Sequence, residues 1–76
     1  MTLYDCNRGE NVQVVKINAD SILKQRLISF GIMKGAVLEV MAHAPAKSTV
    51  EIKVSKTRIA LRDKEAQLIE VKKYEK

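Results

Sequence analysis

The sequence predicts a mainly β fold: a small barrel of about five short strands, with one short helix inserted after the first strand. Three observations predict it. The chain has 76 residues, and at roughly 100–200 residues per domain that is a single domain spanning 1–76. Hydrophobic residues make up 46%, enough for a packed core and too many for a disordered chain. The hydrophobic pattern switches several times between period two and a period of about 3.6. A small sheet presents two exposed edges, and closure into a barrel removes them, so a closed or nearly closed barrel is expected.

The elements follow in order. Arg8-Gly9 reads as a turn ahead of the β-branched run Asn11 to Ile17, the first strand. The doubled Val14-Val15 breaks its alternation, as a bulge or burial on both faces would. Asp20 stands where a helix N-cap stands, ahead of Ser21 to Phe30. Leu23, Leu27 and Phe30 share one face of that helix and point it at the barrel. Gly31 follows as a C′ residue able to take positive φ, with Ile32 placed to fold back on the last turn. Val37, Glu39 and Met41 alternate with Leu38, Val40 and Ala42, a second strand that Pro45 ends. Val50, Ile52 and Val54 alternate with polar residues, Ile59 and Leu61 alternate with Arg58, Ala60 and Arg62, and the short gap between the runs makes a tight hairpin. Asp63 caps a single helical turn through Glu65 and Ala66. Leu68, Ile69 and Val71 form the last strand, and the ends of the chain carry the least pattern.

Several function classes drop out. A chain of this size buries only about 60% of its unfolded surface, so no large catalytic cleft is expected. Ser21, Ser29, Ser48 and Ser55 lack a base other than the single His43. Gly31 and Gly35 do not belong to a phosphate loop, which needs Lys-Ser/Thr opening a helix. No enzymatic activity and no cofactor are expected. Apolar runs fall well short of the ~20 residues that span a bilayer, and no signal peptide is recognisable. With one cysteine and no Cys–His cluster, the chain has no internal disulfide and no zinc site. These absences point to the cytoplasm.

Individual side chains sort by the same reasoning. Cys6 reads as a small, partly buried apolar residue, because a lone thiol makes a poor site. His43 reads as an exposed strand-end imidazole; Glu39 and Glu51 could approach it only in one register, and no metal site is expected. Arg26 and Arg62 flank apolar positions and read as structural, each running its stem over the barrel to a carbonyl or carboxylate. Ile22, Ile28, Ile32 and Met33 remain around the helix and its exit turn, because one helix face cannot bury them all. Unless a short loop covers them they form a protein-binding patch, with Arg26 and Lys34 at its rim.

The net charge is +5, from 14 Lys and Arg against 9 Asp and Glu. Lys47, Lys53, Lys56, Arg58 and Arg62 crowd the third and fourth strands, and small basic barrels do bind nucleic acid. Such a site wants aromatic stacking, and no aromatic lies between Val37 and Val71. Glu39, Glu51, Asp63 and Glu65 also interleave the charges. Nucleic acid is therefore the lesser alternative, and a mixed-charge surface suited to an anionic inner leaflet is preferred.

Four local patterns together resemble a known family. They are Leu3-x-Asp5-x-x-x-Gly9; Leu23-x-x-Arg26-Leu27-x-x-Phe30-Gly31-Ile32-x-x-Gly35; the Val37 to Val40 strand followed by Ala44-Pro45 and Val50-Glu51-Ile52; and Ile59-Ala60-Leu61-Arg62-x-x-Glu65-Ala66-x-x-Ile69-x-Val71. In this order and spacing, over about Leu3 to Val71, they resemble the FeoA domain of bacterial ferrous iron uptake. The family often has Pro where Lys34 stands and Gly near Lys56, so those two turns depart from it. The resemblance implies an SH3-like β-barrel with a helix after the first strand. It also implies a partner: FeoB, a polytopic membrane transporter with a cytosolic GTPase region, to whose cytosolic part the chain would bind, reaching the membrane only through it. Similar domains close iron-dependent repressors, so a stand-alone regulatory domain binding a protein or a Pro-rich peptide is the alternative. Peptide binding of that kind needs an aromatic-lined groove, for which Tyr4, Phe30 and Tyr74 are few. An incompletely closed barrel would leave an edge strand free for weak pairing with a second copy.

Overall fold

Seven backbone segments of the computed structural model, which describes residues 1–45 and 48–75, carry the expected periodicities into regular structure. Strand β1 spans Asn11–Ile17 and helix α1 spans Ser21–Ser29. Strands β2 (Val37–His43), β3 (Thr49–Val54) and β4 (Thr57–Arg62) follow, then the one-turn helix α2 (Asp63–Ala66) and strand β5 (Ile69–Lys73). A short 3-10 turn, Leu3–Asp5, precedes β1.

The strands form one antiparallel sheet in the order β4-β3-β2-β1-β5. The fold class is as expected, but the barrel is not closed: among the described residues no ladder joins β4 to β5. The edges are managed in other ways. Val71 N–H donates to the Met1 carbonyl at 2.8 Å and Thr2 bridges Glu70, so the N-terminal residues cover part of the β5 edge. Leu3, in a segment that carries little pattern, is fully buried as a result. The β4 edge carries Arg58 and Arg62, exposed charges that oppose strand addition.

Register follows the apolar alternation. Val12 and Val14 of β1, Leu38 and Val40 of β2, Val50 and Ile52 of β3, Leu61 of β4, and Ile69 and Val71 of β5 all turn into one core. The β1–β5 register shifts between Val14 and Lys16, so the doubled valine is a bulge with Val15 pushed outward. A second shift, between Val40 and Ala42, bends β2. The β3–β4 hairpin turns in two residues, and Ser55 takes φ +55° in the turn that departs from the family's glycine.

Both helices differ in detail from expectation. Asp63 is the first residue of α2 and not its cap; Arg62 holds the cap position, and the Glu65 carboxylate reaches back to accept the Arg62 N–H at 2.9 Å. In α1 the cap is as expected: Asp20 Oδ1 accepts the Leu23 N–H at 2.8 Å. The C-terminal end changes the packing. Gly31 N–H donates to the Ile28 carbonyl and Ile32 N–H to the Leu27 carbonyl, both at 2.9 Å, with Gly31 at φ +92°. This is a Schellman motif, which sets the second residue past the cap against the third from the end. Leu27 and Ile32 are both buried, with Leu23 packed partly against the same core. Phe30 is 41% exposed, against expectation. The chain reverses immediately after it, and Ile32 takes the buried place that the helical period assigns to Phe30.

Candidate docking surface

The five residues expected to bind a partner separate into three environments. Ile32 is fully buried in the core and offers nothing to a partner. Arg26 lies on one flank of α1. At about 100° per residue it is roughly 160° around the helix from Ile28. Its guanidinium sits 6.0 Å from the centroid of Phe30 and 3.9 Å from Glu65 Oε2. Glu65 also holds the start of α2, so Arg26 links the two helices, the structural role expected of it. Ile22, the most exposed large apolar side chain, lies on the same flank as Arg26, about 120° from Ile28.

Ile28, Met33 and Lys34 do come together. They line a groove of about 350 Å³ with Lys16, Ile17 and Lys24. Three backbone segments build it. Helix α1 supplies Lys24 and Ile28, one turn apart and so on one face. The bulged end of β1 supplies Lys16 and Ile17. The exit turn supplies Met33 and Lys34, and it is stapled to β1: Gly35 N–H donates to the Val14 carbonyl at 2.8 Å, and Val14 N–H donates to the Ala36 carbonyl at 2.9 Å. Gln13 Nε2 adds a bond to the Gly35 carbonyl at 3.1 Å. Within the turn, Ala36 N–H closes on the Met33 carbonyl at 2.9 Å, with Gly35 third in line at φ +90°. Positive φ at that position marks a type II turn. Lys34 then sits at the second position, where proline is favoured.

The groove has an apolar floor. Ile28 and Met33 are 41% and 43% exposed, and Ile17 beneath them is buried. Lys16, Lys24 and Lys34 are exposed around it. Sequence reasoning missed Lys16, Ile17 and Lys24. The Lys24–Ile28 spacing was a usable signal; the approach of β1 to the turn was not, because it depends on pairing Val14 with residues more than twenty positions away.

The remaining candidates do not assemble a reactive site. Cys6 is fully buried, its thiol donating toward the Thr2 carbonyl at 3.5 Å. Burial first, then the charges of Glu10 and Asp5, push the thiol pKa up to about 11. It is a neutral core group at ordinary pH. His43 is half-buried and not an exposed strand end; its Nε2–H donates to the Cys6 carbonyl at 2.6 Å. Its Nδ1 is buried without a hydrogen-bond partner among the described residues. Glu51 pairs with Arg58 at 3.4 Å, and Glu39 faces Lys53 across the β2–β3 ladder. Among the described residues no three His, Cys, Asp or Glu side chains gather at one point. Of the basic group, Arg58 is thus paired, while Lys53, Lys56 and Arg62 are exposed; Lys47 lies outside the described residues. No helix among the described residues is long and apolar enough to cross a membrane.

Comparisons with known proteins bear on this geometry. The FeoA domain family model matches residues 1–73. An Fe(2+) transport protein A of Helicobacter pylori (strain J99 / ATCC 700824) is 36% identical over 73 residues, covering 95% of this chain and 94% of that protein. The solution structure of the FeoA protein of Chlorobium tepidum superimposes with a TM-score of 0.90 at 27% identity, over 96% of this chain and 70% of that one. A manganese-dependent transcriptional repressor in complex with manganese superimposes with a TM-score of 0.88 at 25% identity, over 97% of this chain but 36% of the repressor. An open five-stranded sheet with this helix and these turns, matched along nearly its whole length, belongs to the FeoA domain family.

Proposed function

We propose that the chain is a cytosolic accessory protein of ferrous iron uptake that docks on the cytosolic GTPase-bearing part of the transporter FeoB. The docking surface is the groove between α1 and the exit turn. One observation carries the reading: Ile28 and Met33 are exposed side by side in a single groove, on a chain of the FeoA family. Large apolar side chains left exposed together, rimmed by charge, mark protein–protein contact sites. Family relatives are named for Fe(2+) transport, which supports the pathway. The transporter carries the iron as cargo; this chain performs no bond-making or bond-breaking step. Its action is linkage: a bound protein favours whichever transporter conformation it binds better, by no more than the difference in affinity. The net charge of +5 suits a place beneath an anionic inner leaflet.

The test is a titration of isotope-labelled protein with detergent-solubilised FeoB from the same genome, at ~150 mM salt to screen loose charge pairing. Saturable shifts confined to residues 16–17 and 24–34 are expected. Unchanged spectra at every concentration would overturn the reading. A stand-alone regulatory domain is the second reading, favoured by the superposition on the repressor. It predicts no response to FeoB.

A further inference from the structure

The groove's chemistry narrows its occupant, given the docking reading above. Its floor is Ile17, Ile28 and Met33, and its rim is Lys16, Lys24 and Lys34. Among the described residues the ion pairs are Arg26–Glu65 and Arg58–Glu51, and neither includes a rim lysine. The register sets one carboxylate beside the rim, Glu70 opposite Lys16, and Glu70 already accepts from Asn18 Nδ2 at 2.7 Å. Asp20, one turn before Lys24, is committed to the Leu23 N–H, so Lys24 and Lys34 stand without an ion pair among the described residues on either side of an apolar slot. They are held on separate backbones, a capped helix and a turn bonded to β1, so the charges are set apart before any partner arrives.

We propose that the groove binds an acidic segment of a partner protein. One large apolar side chain seats between Ile28 and Met33, and Asp or Glu residues flanking it face Lys16, Lys24 and Lys34. The size agrees: about 350 Å³ is at the low end of ligand pockets, which run ~300–1,000 Å³, and suits one or two side chains. A basic segment is repelled by the same rim, so the lysines supply selectivity and rapid encounter while the floor supplies residence. A lipid surface is the lesser fit. Insertion into a membrane wants projecting apolar side chains, and here the apolar atoms are recessed between lysines.

Three short synthetic peptides test this on the intact protein by NMR: one built of Glu and Leu, the same with every Glu replaced by Lys, and the same with every Leu replaced by Ser. Only the first is expected to give saturable shifts at Lys24, Ile28, Met33 and Lys34. The double variant Lys24→Glu/Lys34→Glu, with its fold checked by thermal unfolding, should bind that peptide roughly ten-fold more weakly. Equal binding of the lysine peptide, shifts away from the groove, or no shifts at millimolar peptide would each overturn the proposal. So would capture of the protein, through Lys24 and Lys34, by vesicles of phosphatidylcholine and phosphatidylserine in equal parts without peptide binding. Competition separates this proposal from the transporter reading. A groove-bound acidic peptide that FeoB fails to displace supports the groove chemistry and removes FeoB as its partner. FeoB binding that survives Lys24→Glu/Lys34→Glu supports FeoB and overturns the acidic-segment proposal.

Discussion

Leu27 and Ile28 are adjacent, isomeric side chains on α1 with opposite fates: Leu27 is 1% exposed and Ile28 is 41% exposed. What separates them is the geometry of the helix end. Gly31 reverses the chain and brings Ile32 against Leu27, which closes that side into the core. Ile28 lies about 100° further round, over the gap between α1 and the turn, where nothing follows to cover it. The turn itself is bonded to β1 and cannot fold over Ile28 without losing its bonds to Val14. Apolar character alone therefore does not decide what a residue does here. Position relative to one glycine-dependent reversal decides it, and the two faces should respond differently to change.

The largest expected effect is on the buried side. Leu27→Ala should cost about 2–5 kcal/mol, the range for truncating a packed leucine, read as a fall in the denaturation midpoint. Gly31→Ala attacks the reversal: alanine resists φ +92°, and its Cβ would stand 3.2 Å from Val54 Cγ1. A loss of about 1–2 kcal/mol is expected by equilibrium unfolding. A loss near zero would show that the Schellman turn does not set the division between the faces.

A pH scan extends the test of the buried side to Cys6. Its folded pKa is raised from 9.0 to about 11, so folded and unfolded states both hold the proton below pH 9. Between about pH 9 and 11 the unfolded state releases it first, and stability falls as pH rises. Cys6→Ala should flatten that part of the profile relative to the parent chain. Lys34→Pro reaches across both faces. Proline suits the second position of the turn, so unfolding free energy should rise by about 0.4–1 kcal/mol. The same change deletes a rim charge, so affinity for an acidic segment should fall. A protein that gains stability and loses binding in one substitution would show directly that the two properties are separable.

Much of the fold was legible because local chemistry wrote it. The β-branched run fixed Asn11–Ile17, the Asp20 carboxylate marked the helix start, Gly31 marked its end, and Val14-Val15 marked a break in alternation that the register resolves as a bulge. Less was legible where tertiary pairing overrides a local period. Phe30 fits the helical stripe of Leu23 and Leu27, yet Ile32 fills the core position. Closure was expected from edge protection, but Met1, Thr2 and edge arginines protect an open sheet instead. At the docking surface, Ile28, Met33 and Lys34 were readable as leftover residues of an amphipathic pattern. Arg26 and Ile32 each carried two readings, a structural one (a carboxylate for Arg26, a fold-back on the last turn for Ile32) and a docking one, and only the packing against Glu65 and Leu27 chooses between them. Lys16 and Ile17 enter the groove only through the bonds between β1 and the turn.

The most direct test of the division along α1 compares Leu27→Ala with Ile28→Asp in one pair of measurements, denaturation midpoint and affinity for detergent-solubilised FeoB. Surface substitutions usually move stability by no more than ~0.5 kcal/mol, so Ile28→Asp should unfold with the parent chain yet bind FeoB at least roughly ten-fold more weakly. Leu27→Ala should unfold far earlier and, where still folded, bind as the parent does. Parental FeoB binding by Ile28→Asp, or its unfolding alongside Leu27→Ala, would contradict the account.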